Sequence, residues 1–369
     1  MFRRLLQLNG LAITAVVLFH AVGMGFVAMF AWADRYLPPT VSPAEQIGSL
    51  SYYALRIGEQ LVVFSIPAFL FVSGFFIAVA TGKSQPTVSW KTVLARIKGL
   101  LIPYLIWSAV VLALLFVQGE RFSIRGILVK LLTGSSNEVL YYVPLLVQFY
   151  LLSPFLVKFA KSNWKLLLLM AGLIQLGVQL MAYPVFLGLD IPNQQVIVNL
   201  VPKWFFPTRI FWFSLGIVFG FHIEQFKQSL AKYRWLLLGV TLLCIPIGIL
   251  EWEQYFRLSG RAWLDHRETL IDTVYALGFL LTFFAFSQSS LPFSVRFEQL
   301  GQRSYGIYLI HSIAIEYTAK IIYHLTPWLL GYQILFLPIM IAVGLGAPLV
   351  LMAIVDRSPV RRYYKYLFG

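Results

Sequence analysis

Four titratable side chains stand out within the long apolar runs of this sequence: His20, His311, Glu316 and Lys320. Such groups are costly in lipid, so they normally face the interior of a helix bundle and mark functional sites. A neutral histidine beside a carboxylate is the usual arrangement of a general base, because the carboxylate fixes the imidazole tautomer and stabilises the imidazolium. We predict that His20 is a general base and that His311 is a second candidate. The alternative for each is a buried histidine bonded to a backbone carbonyl.

Two carboxylates, Glu59 and Glu316, are candidates to orient the imidazole of His20. At a rise of about 1.5 Å per residue, His20 is predicted about 18 to 22 Å from the cytoplasmic end of its helix and Glu316 about 18 to 20 Å from that of its own helix. The same rise places His311 only about 10 to 12 Å deep. Glu59 begins a span on the outer side. Because Glu316 and Lys320 are spaced i, i+4, a simple ion pair between them is the structural alternative.

The elements that must position these residues are predicted to be membrane-spanning helices. Of the residues, 59% are hydrophobic and 12% are charged, and the mean hydropathy is +0.77. Continuous apolar runs without alternation favour helices over a barrel. We predict an all-α integral membrane protein with one domain over residues 1–369 and about ten transmembrane helices. The predicted spans lie near 8 to 31, 59 to 81, 95 to 117, 140 to 157, 165 to 187, 205 to 222, 235 to 250, 270 to 287, 304 to 324 and 332 to 355.

The lysines and arginines predict the orientation of these spans. Eighteen of the 29 fall in one alternate set of loops, which includes the residues before the first span and after the last. Since basic loops stay on the cytoplasmic side, both termini are predicted to be cytoplasmic, in the inner (plasma) membrane. The net charge of +14 is spread over these short loops. It therefore indicates contact with the lipid bilayer and predicts no nucleic-acid partner.

Other chemistries have no signature in the sequence. The single cysteine, Cys244, lies in an apolar run, which excludes an intramolecular disulfide or a cysteine-based metal site. His222, His266 and His324 are scattered without metal-ligand spacing, so no metal is predicted. The sequence also lacks a phosphate-binding glycine loop and a serine hydrolase motif.

Six segments occur in a characteristic order along nearly the whole chain. They are LNGLAITAVVLFHA (8 to 21), SIPAFLFVSGFF (65 to 76), RIKGLLIPYLIWS (96 to 108), YYVPLLVQFYLLSP (141 to 154), FWFSLGIVFG (211 to 220) and GQRSYGIYLIH (301 to 311). Together they resemble the acyltransferase-3 family of multi-pass membrane acyltransferases. The opening helix of that family usually carries a basic residue eleven positions before its histidine. This chain has Asn9 there.

The resemblance implies transfer of an acyl group, often acetyl, from acyl-CoA to a hydroxyl of a carbohydrate or lipid-linked glycan. Acyl-CoA would be a co-substrate and not a permanently bound cofactor. The donor is polyanionic, and basic residues of the predicted cytoplasmic loops could bind its phosphates. Ser73 or Tyr308 could donate a hydrogen bond to the developing oxyanion. The basic candidates, which serve equally well as topology signals or headgroup contacts, are Lys91, Arg96, Lys98 and Arg303.

Two other classes of function stay open on the sequence. A kinked bundle with buried His311, Glu316 and Lys320 is also typical of a proton-coupled carrier, here a transporter or flippase of a polysaccharide or lipid-linked intermediate. The absence of an inverted repeat in the sequence counts modestly against a carrier. A scaffold that kept the fold without the chemistry is the third class, for which Asn9 leaves room. The retained His20 argues against it.

Overall fold

The computed structural model describes residues 2–189, 191–192, 200–260, 264 and 268–369, and within these ranges it contains helices and no strand. The all-helical prediction is therefore confirmed for the described residues. The α-helices are α1 (Phe2–Phe26), α2 (Leu50–Val62), α3 (Ser65–Thr81), α4 (Trp90–Val117), α5 (Ile124–Thr133), α6 (Tyr142–Leu180), α7 (Tyr183–Phe186), α8 (Ile210–Lys232), α9 (Arg234–Ser259), α10 (Leu270–Ala285), α11 (Ser294–Gln302), α12 (Ser304–Leu325), α13 (Gln333–Arg357) and α14 (Tyr364–Phe368). A π-helical turn follows α1 at Val27–Ala31, and short 3-10 helices lie at Ala33–Arg35, Pro43–Gln46, Phe206–Thr208, Pro327–Gly331 and Pro359–Tyr363.

Six helical stretches of the described chain are long and apolar enough to cross a membrane. They are Phe2–Ala31, Leu50–Thr81, Trp90–Val117, Tyr142–Phe186, Arg234–Ser259 and Gln333–Arg357. A shorter apolar helix, α10, was also among the predicted spans. Every predicted span overlaps a helix. The number of ten spans and the cytoplasmic placement of both termini remain predictions.

The chain packs into two compact units, and we describe each by itself. The first unit contains Met1–Ser65 and Phe293–Gly369, with helices α1, α2 and α11 to α14. The second contains Ile66–Pro292, with helices α3 to α10. The single domain over residues 1–369 remains a prediction.

The longest helix of the second unit, α6, is broken at Asn163, whose backbone dihedrals (φ −151°, ψ 79°) are not helical. A straight helix of 39 residues would be about 58 Å long. That is about twice the thickness of a bilayer core. The break divides α6 into two segments that correspond to the spans predicted at 140 to 157 and 165 to 187. The basic residues Lys158 and Lys161 precede the break.

Helices α3 and α8 pack in direct backbone contact within the second unit. A Cβ atom added to Gly74 would lie 2.1 Å from the carbonyl oxygen of Phe213, and one added to Gly216 would lie 2.0 Å from that of Phe71. No other residue type fits at such an approach. Both glycines belong to the segments that carry the family resemblance. The close contact gives a physical reason for a glycine in each segment.

The first unit has a similar glycine-mediated backbone contact between α1 and α11. A Cβ atom added to Gly10 would lie 1.9 Å from the carbonyl oxygen of Phe297, and one added to Gly301 would lie 1.9 Å from that of Leu6. The first turns of α1 therefore run beside α11, which precedes α12 in the chain. This contact sets the level of α1 relative to α12.

The connection that follows α3 in the second unit is held by Lys161. Its Nζ donates hydrogen bonds to the carbonyl oxygens of Gly82 (2.9 Å), Lys83 (3.2 Å) and Gln85. Cations are stabilised at the C-terminal end of a helix, where carbonyl groups lack helical partners. Lys161 therefore orders the segment that leads from α3 to the basic helix α4.

Candidate functional site

The first unit brings together His20 of α1 and His311 of α12. Their ring centroids are 5.2 Å apart, with the ring planes tilted by 51°. His311 is 0% exposed, whereas His20 is half-buried. His20 is therefore the partly accessible member of the pair, and His311 is the enclosed one.

The pairing of His20 with His311 follows from the contact between α1 and α11. Because Gly10 and Gly301 lie at the same level, the residues ten positions further along α1 and α12 also lie at the same level. These residues are His20 and His311. The sequence-based depths assumed that both helices start at one level. The structure shows instead that α1 begins earlier, beside α11.

Backbone carbonyl groups determine which ring nitrogen of His311 carries the proton. Its Nδ1 lies 2.8 Å from the carbonyl oxygen of Tyr308 and 3.2 Å from that of Ile307. Carbonyl oxygens only accept hydrogen bonds, so Nδ1 carries a proton and, in the neutral ring, Nε2 carries the lone pair. That Nε2 atom is buried and has no hydrogen-bond partner among the described residues. The backbone hydrogen bond considered as the structural alternative is present, and it leaves one basic nitrogen unused.

Each of the two carboxylates proposed to orient His20 has a cation of its own. Glu59 accepts a hydrogen bond of 2.8 Å from Arg56, whose guanidinium lies 4.8 Å from the ring centroid of Phe26. Glu316 accepts one of 2.6 Å from Lys320, which is the i, i+4 pair that the sequence left open. An orienting role for Glu59 or Glu316 remains a prediction. Arg56, which is 4% exposed, was not among the predicted site residues.

Three further residues of the first unit were singled out from the sequence. Tyr308 is buried, and its ring centroid lies 6.0 Å from that of His311. Arg303 is exposed at the start of α12. Asn9, at the position where the family usually has a basic residue, is half-buried, and its Oδ1 atom has no hydrogen-bond partner in the described part of the chain.

The remaining predicted residues lie in the second unit. Ser73 of α3 lies beside the phenol groups of Tyr142 and Tyr150 in α6. Arg96 of α4 donates a hydrogen bond of 3.3 Å to the carbonyl of Phe76, and its guanidinium lies 5.9 Å from the ring centroid of Tyr150. The structure therefore brings Ser73 and Arg96 into one cluster through Tyr150. Both Lys91 and Lys98 of α4 are exposed.

Sequence reasoning did not include Tyr142 and Tyr150 in the candidate site. Both lie in the segment YYVPLLVQFYLLSP, and a spacing of eight residues places side chains on the same broad face of a helix. That spacing of two phenol groups within an apolar run is the sequence feature that could have indicated these two residues. The two side chains are buried beside Ser73.

A second polar cluster of this unit surrounds Glu268. Its Oε1 atom accepts hydrogen bonds from Trp212 Nε1 (3.0 Å) and Thr273 Oγ1 (3.1 Å), and its Oε2 atom lies 3.7 Å from Arg209 Nε. Burial raises the pKa of Glu268, while Arg209 and these hydrogen bonds act in the opposite direction. The cluster joins α8 to the start of α10.

The described residues contain no group of three or more His, Cys, Asp or Glu side chains that could hold a metal ion. Two of the scattered histidines, His222 and His324, lie in α8 and α12. His266 lies outside the described residues.

A family model described as an acyltransferase domain matches residues 7–353, which is nearly the whole chain. This chain belongs to the acyltransferase-3 family and is an acyltransferase that transfers groups other than aminoacyl groups. A search of curated proteins found no match. A search of solved structures found none either.

Proposed function

We propose that this protein moves an acyl group, expected to be acetyl, from acyl-CoA to a hydroxyl of a carbohydrate or lipid-linked glycan, with His20 as the general base. The observation that carries the proposal is the half-buried ring of His20 backed by the fully buried ring of His311. It lies in a chain whose family is that of the acyltransferases. The bilayer, the donor and the acceptor are its partners in this proposal.

The proposed step needs one base and leaves no charge behind. His20 removes the proton of the acceptor hydroxyl as that oxygen attacks the carbonyl carbon of the thioester. A C–O bond forms and the C–S bond breaks. The leaving thiolate of CoA then takes the proton from the imidazolium, which returns His20 to its neutral form. Tyr308 or Ser73 is the proposed donor to the oxyanion that develops during attack.

The phosphates of the donor are assigned to basic residues at predicted cytoplasmic positions. Arg96 is the strongest candidate, because a guanidinium binds phosphate through two parallel hydrogen bonds. Its half-buried position beside Tyr150 holds it in one orientation. Lys91, Lys98 and Arg303 are exposed and would add point charges.

The test compares two histidine variants of the full chain in lipid vesicles. Radiolabelled acetyl-CoA is supplied with an extract of glycolipids and surface glycans, and both free CoA and labelled product are measured. His20→Gln is expected to lower acyl transfer by about 100-fold or more, because it removes the general base. The control, His324→Gln, changes an exposed histidine near the end of α12 and is expected to keep wild-type activity.

Near wild-type transfer by His20→Gln, at equal amounts of folded protein, would show that His20 is not the base. If the wild-type protein releases no CoA but moves a labelled glycolipid across the vesicle membrane, the chain is a carrier and the proposal fails. A protein that does neither and is not stabilised by acetyl-CoA on heating would be the scaffold.

A further inference from the structure

The buried nitrogen of His311 requires an explanation of its own. A buried polar atom without a hydrogen bond lowers stability, so native proteins retain few of them. The Nε2 atom of His311 is such an atom within the described residues. The other neutral tautomer, with the proton on Nε2, is disfavoured, because the carbonyl oxygens of Tyr308 and Ile307 accept hydrogen bonds from Nδ1–H. The ring therefore presents a fixed hydrogen-bond acceptor.

The group placed to use this acceptor is the ring of His20. The ring centroids are 5.2 Å apart, a separation at which two imidazole nitrogens directed at each other can form an N–H···N hydrogen bond. His311 is fully buried, whereas His20 is half-buried, so His20 is the ring that is open to a substrate in the proposed reaction. The hydrogen bond requires one N–H of His20 to be directed at the buried Nε2 atom of His311.

We propose that His311 is a positioning residue whose Nε2 accepts a hydrogen bond from one ring nitrogen of His20 and so leaves the other nitrogen of His20 as the base. This inference rests on the proposed acyl transfer, in which His20 acts as the base. When His20 takes the proton of the acceptor hydroxyl, the shared hydrogen bond becomes charge-assisted and stronger. His311 thereby fills the place that a carboxylate fills in the usual base arrangement.

The geometry also explains why an imidazole is suited to this position. A carboxylate in place of the His311 imidazole would face the carbonyl oxygens of Tyr308 and Ile307, which repel negative charge. A neutral imidazole donates to these carbonyls with one nitrogen and accepts from His20 with the other. One side chain thus connects the backbone of α12 to the reactive ring on α1.

The kinetic test uses two substitutions that differ in one property. His311→Met fills the volume with an unbranched apolar chain and removes the acceptor, whereas His311→Gln retains an acceptor oxygen. His311→Met is expected to lower kcat by about 100-fold with the KM values for donor and acceptor within about 3-fold, as loss of an orienting group does. His311→Gln is expected to recover at least about 10-fold of that loss. A structural role alone predicts equal losses for variants of equal thermal stability.

A spectroscopic readout tests the hydrogen bond in the wild-type protein itself, and the variants serve only to assign its histidine signals. The chain has only five histidines, so ¹⁵N-histidine labelling with His20→Gln and His311→Gln spectra assigns both rings. We expect a protonated Nδ1 and an unprotonated Nε2 on His311, and a nitrogen–nitrogen coupling across the hydrogen bond to His20. A protonated Nε2 on His311, or no such coupling, would overturn the inference.

Failure of this inference is distinguishable from failure of the proposed function. If His20→Gln abolishes transfer while His311→Met keeps the wild-type kcat, only the role of His311 is wrong. If His20→Gln itself keeps wild-type transfer, the proposed base is wrong. In that case the coupling between the rings would describe packing and no part of catalysis.

Discussion

The backbone carbonyl of Leu6 lies against Gly301 so closely that a Cβ atom at Gly301 would be 1.9 Å from its oxygen. This contact is the point at which α1 and α11 meet, and it sets His20 level with His311. A side chain of any size at Gly301 must push the two helices apart. The position of the histidine pair therefore depends on a residue that has no side chain.

Gly301→Ala is expected to destabilise the protein and to impair acyl transfer. Inserting a methyl group at a backbone contact costs about 1 to 3 kcal/mol and shifts the helices. We expect a lower melting temperature for the purified variant in detergent and a loss of activity. Gly346→Ala is the matched control, because it lies in α13 and a Cβ atom there would meet nothing within 4 Å. Equal melting temperatures for the two variants would contradict the close contact.

Arg96→Gln is expected to weaken binding of acyl-CoA without preventing chemistry. Loss of a charge-assisted hydrogen bond to phosphate costs about 1.5 to 3 kcal/mol, which corresponds to a rise of about tenfold or more in KM for the donor. The rise is measured by steady-state kinetics, and kcat is expected to fall less. Lys165→Gln removes one charge from an exposed residue of α6 and serves as the control. A similar rise in both variants would indicate a general charge effect.

If the ion pair is the whole role of Glu316 and Lys320, substitution of both is expected to leave acyl transfer within about threefold of wild type, whereas an orienting role for Glu316 predicts a large loss. Each side chain is 39% exposed in the pair, and exposed pairs at i, i+4 contribute little to stability. The double variant Glu316→Gln, Lys320→Met is compared with wild type in the vesicle assay. A loss of activity as large as that of His20→Gln would instead make Glu316 part of the reacting site.

The buried carboxyl of Glu268 makes stability depend on pH. Because burial raises its pKa, the folded protein keeps a proton on Glu268 at pH values where the unfolded chain has lost it. This contribution to the free energy of unfolding is fully present below the unfolded-state pKa of about 4.3. It is lost as the pH rises through the folded-state pKa.

Glu268→Gln removes this titration while keeping an acceptor for Trp212 and Thr273. The melting temperature of wild type minus that of the variant is therefore expected to decrease as the pH rises from about 4 to 7. Thermal unfolding at a series of pH values gives the difference. Glu138→Gln, at an exposed carboxyl, provides the comparison. A difference for Glu268→Gln that stays constant or increases with pH would contradict the raised pKa.

The helices were largely predictable from the sequence because hydropathy and basic gaps are local signals. The gap at Lys158 and Lys161 predicted that one long apolar stretch is two spans, and the structure breaks α6 at Asn163. The start of the second span at Glu59 was placed too late. The helix begins at Leu50, because Ser49 caps it and its first turns include residues that a hydropathy reading assigns to a loop.

The candidate site was less predictable because it depends on contacts between distant segments. His20 and His311 were both singled out as buried histidines, yet each was assigned a different depth. Their meeting depends on the contact of Gly10 and Gly301 with the neighbouring backbone, which no local pattern reports. Pairing of Glu316 with Lys320 was recognisable, since their spacing within one helix is enough to bring them together.

The hydrogen bonds of Lys161 also affect how readily its amine reacts with the acyl-CoA thioester. An amine attacks a thioester only through its lone pair, whereas Lys161 directs its protons to the carbonyls of Gly82, Lys83 and Gln85. We therefore expect these three hydrogen bonds to slow accidental acetylation of Lys161 by the donor. After prolonged incubation with acetyl-CoA, peptide mapping is expected to find acetyl groups on the exposed Lys83 and Lys91 and none on Lys161. Acetylation of the protein by its own donor would then be limited to exposed lysines and would not affect Lys161, which orders the chain between α3 and α4.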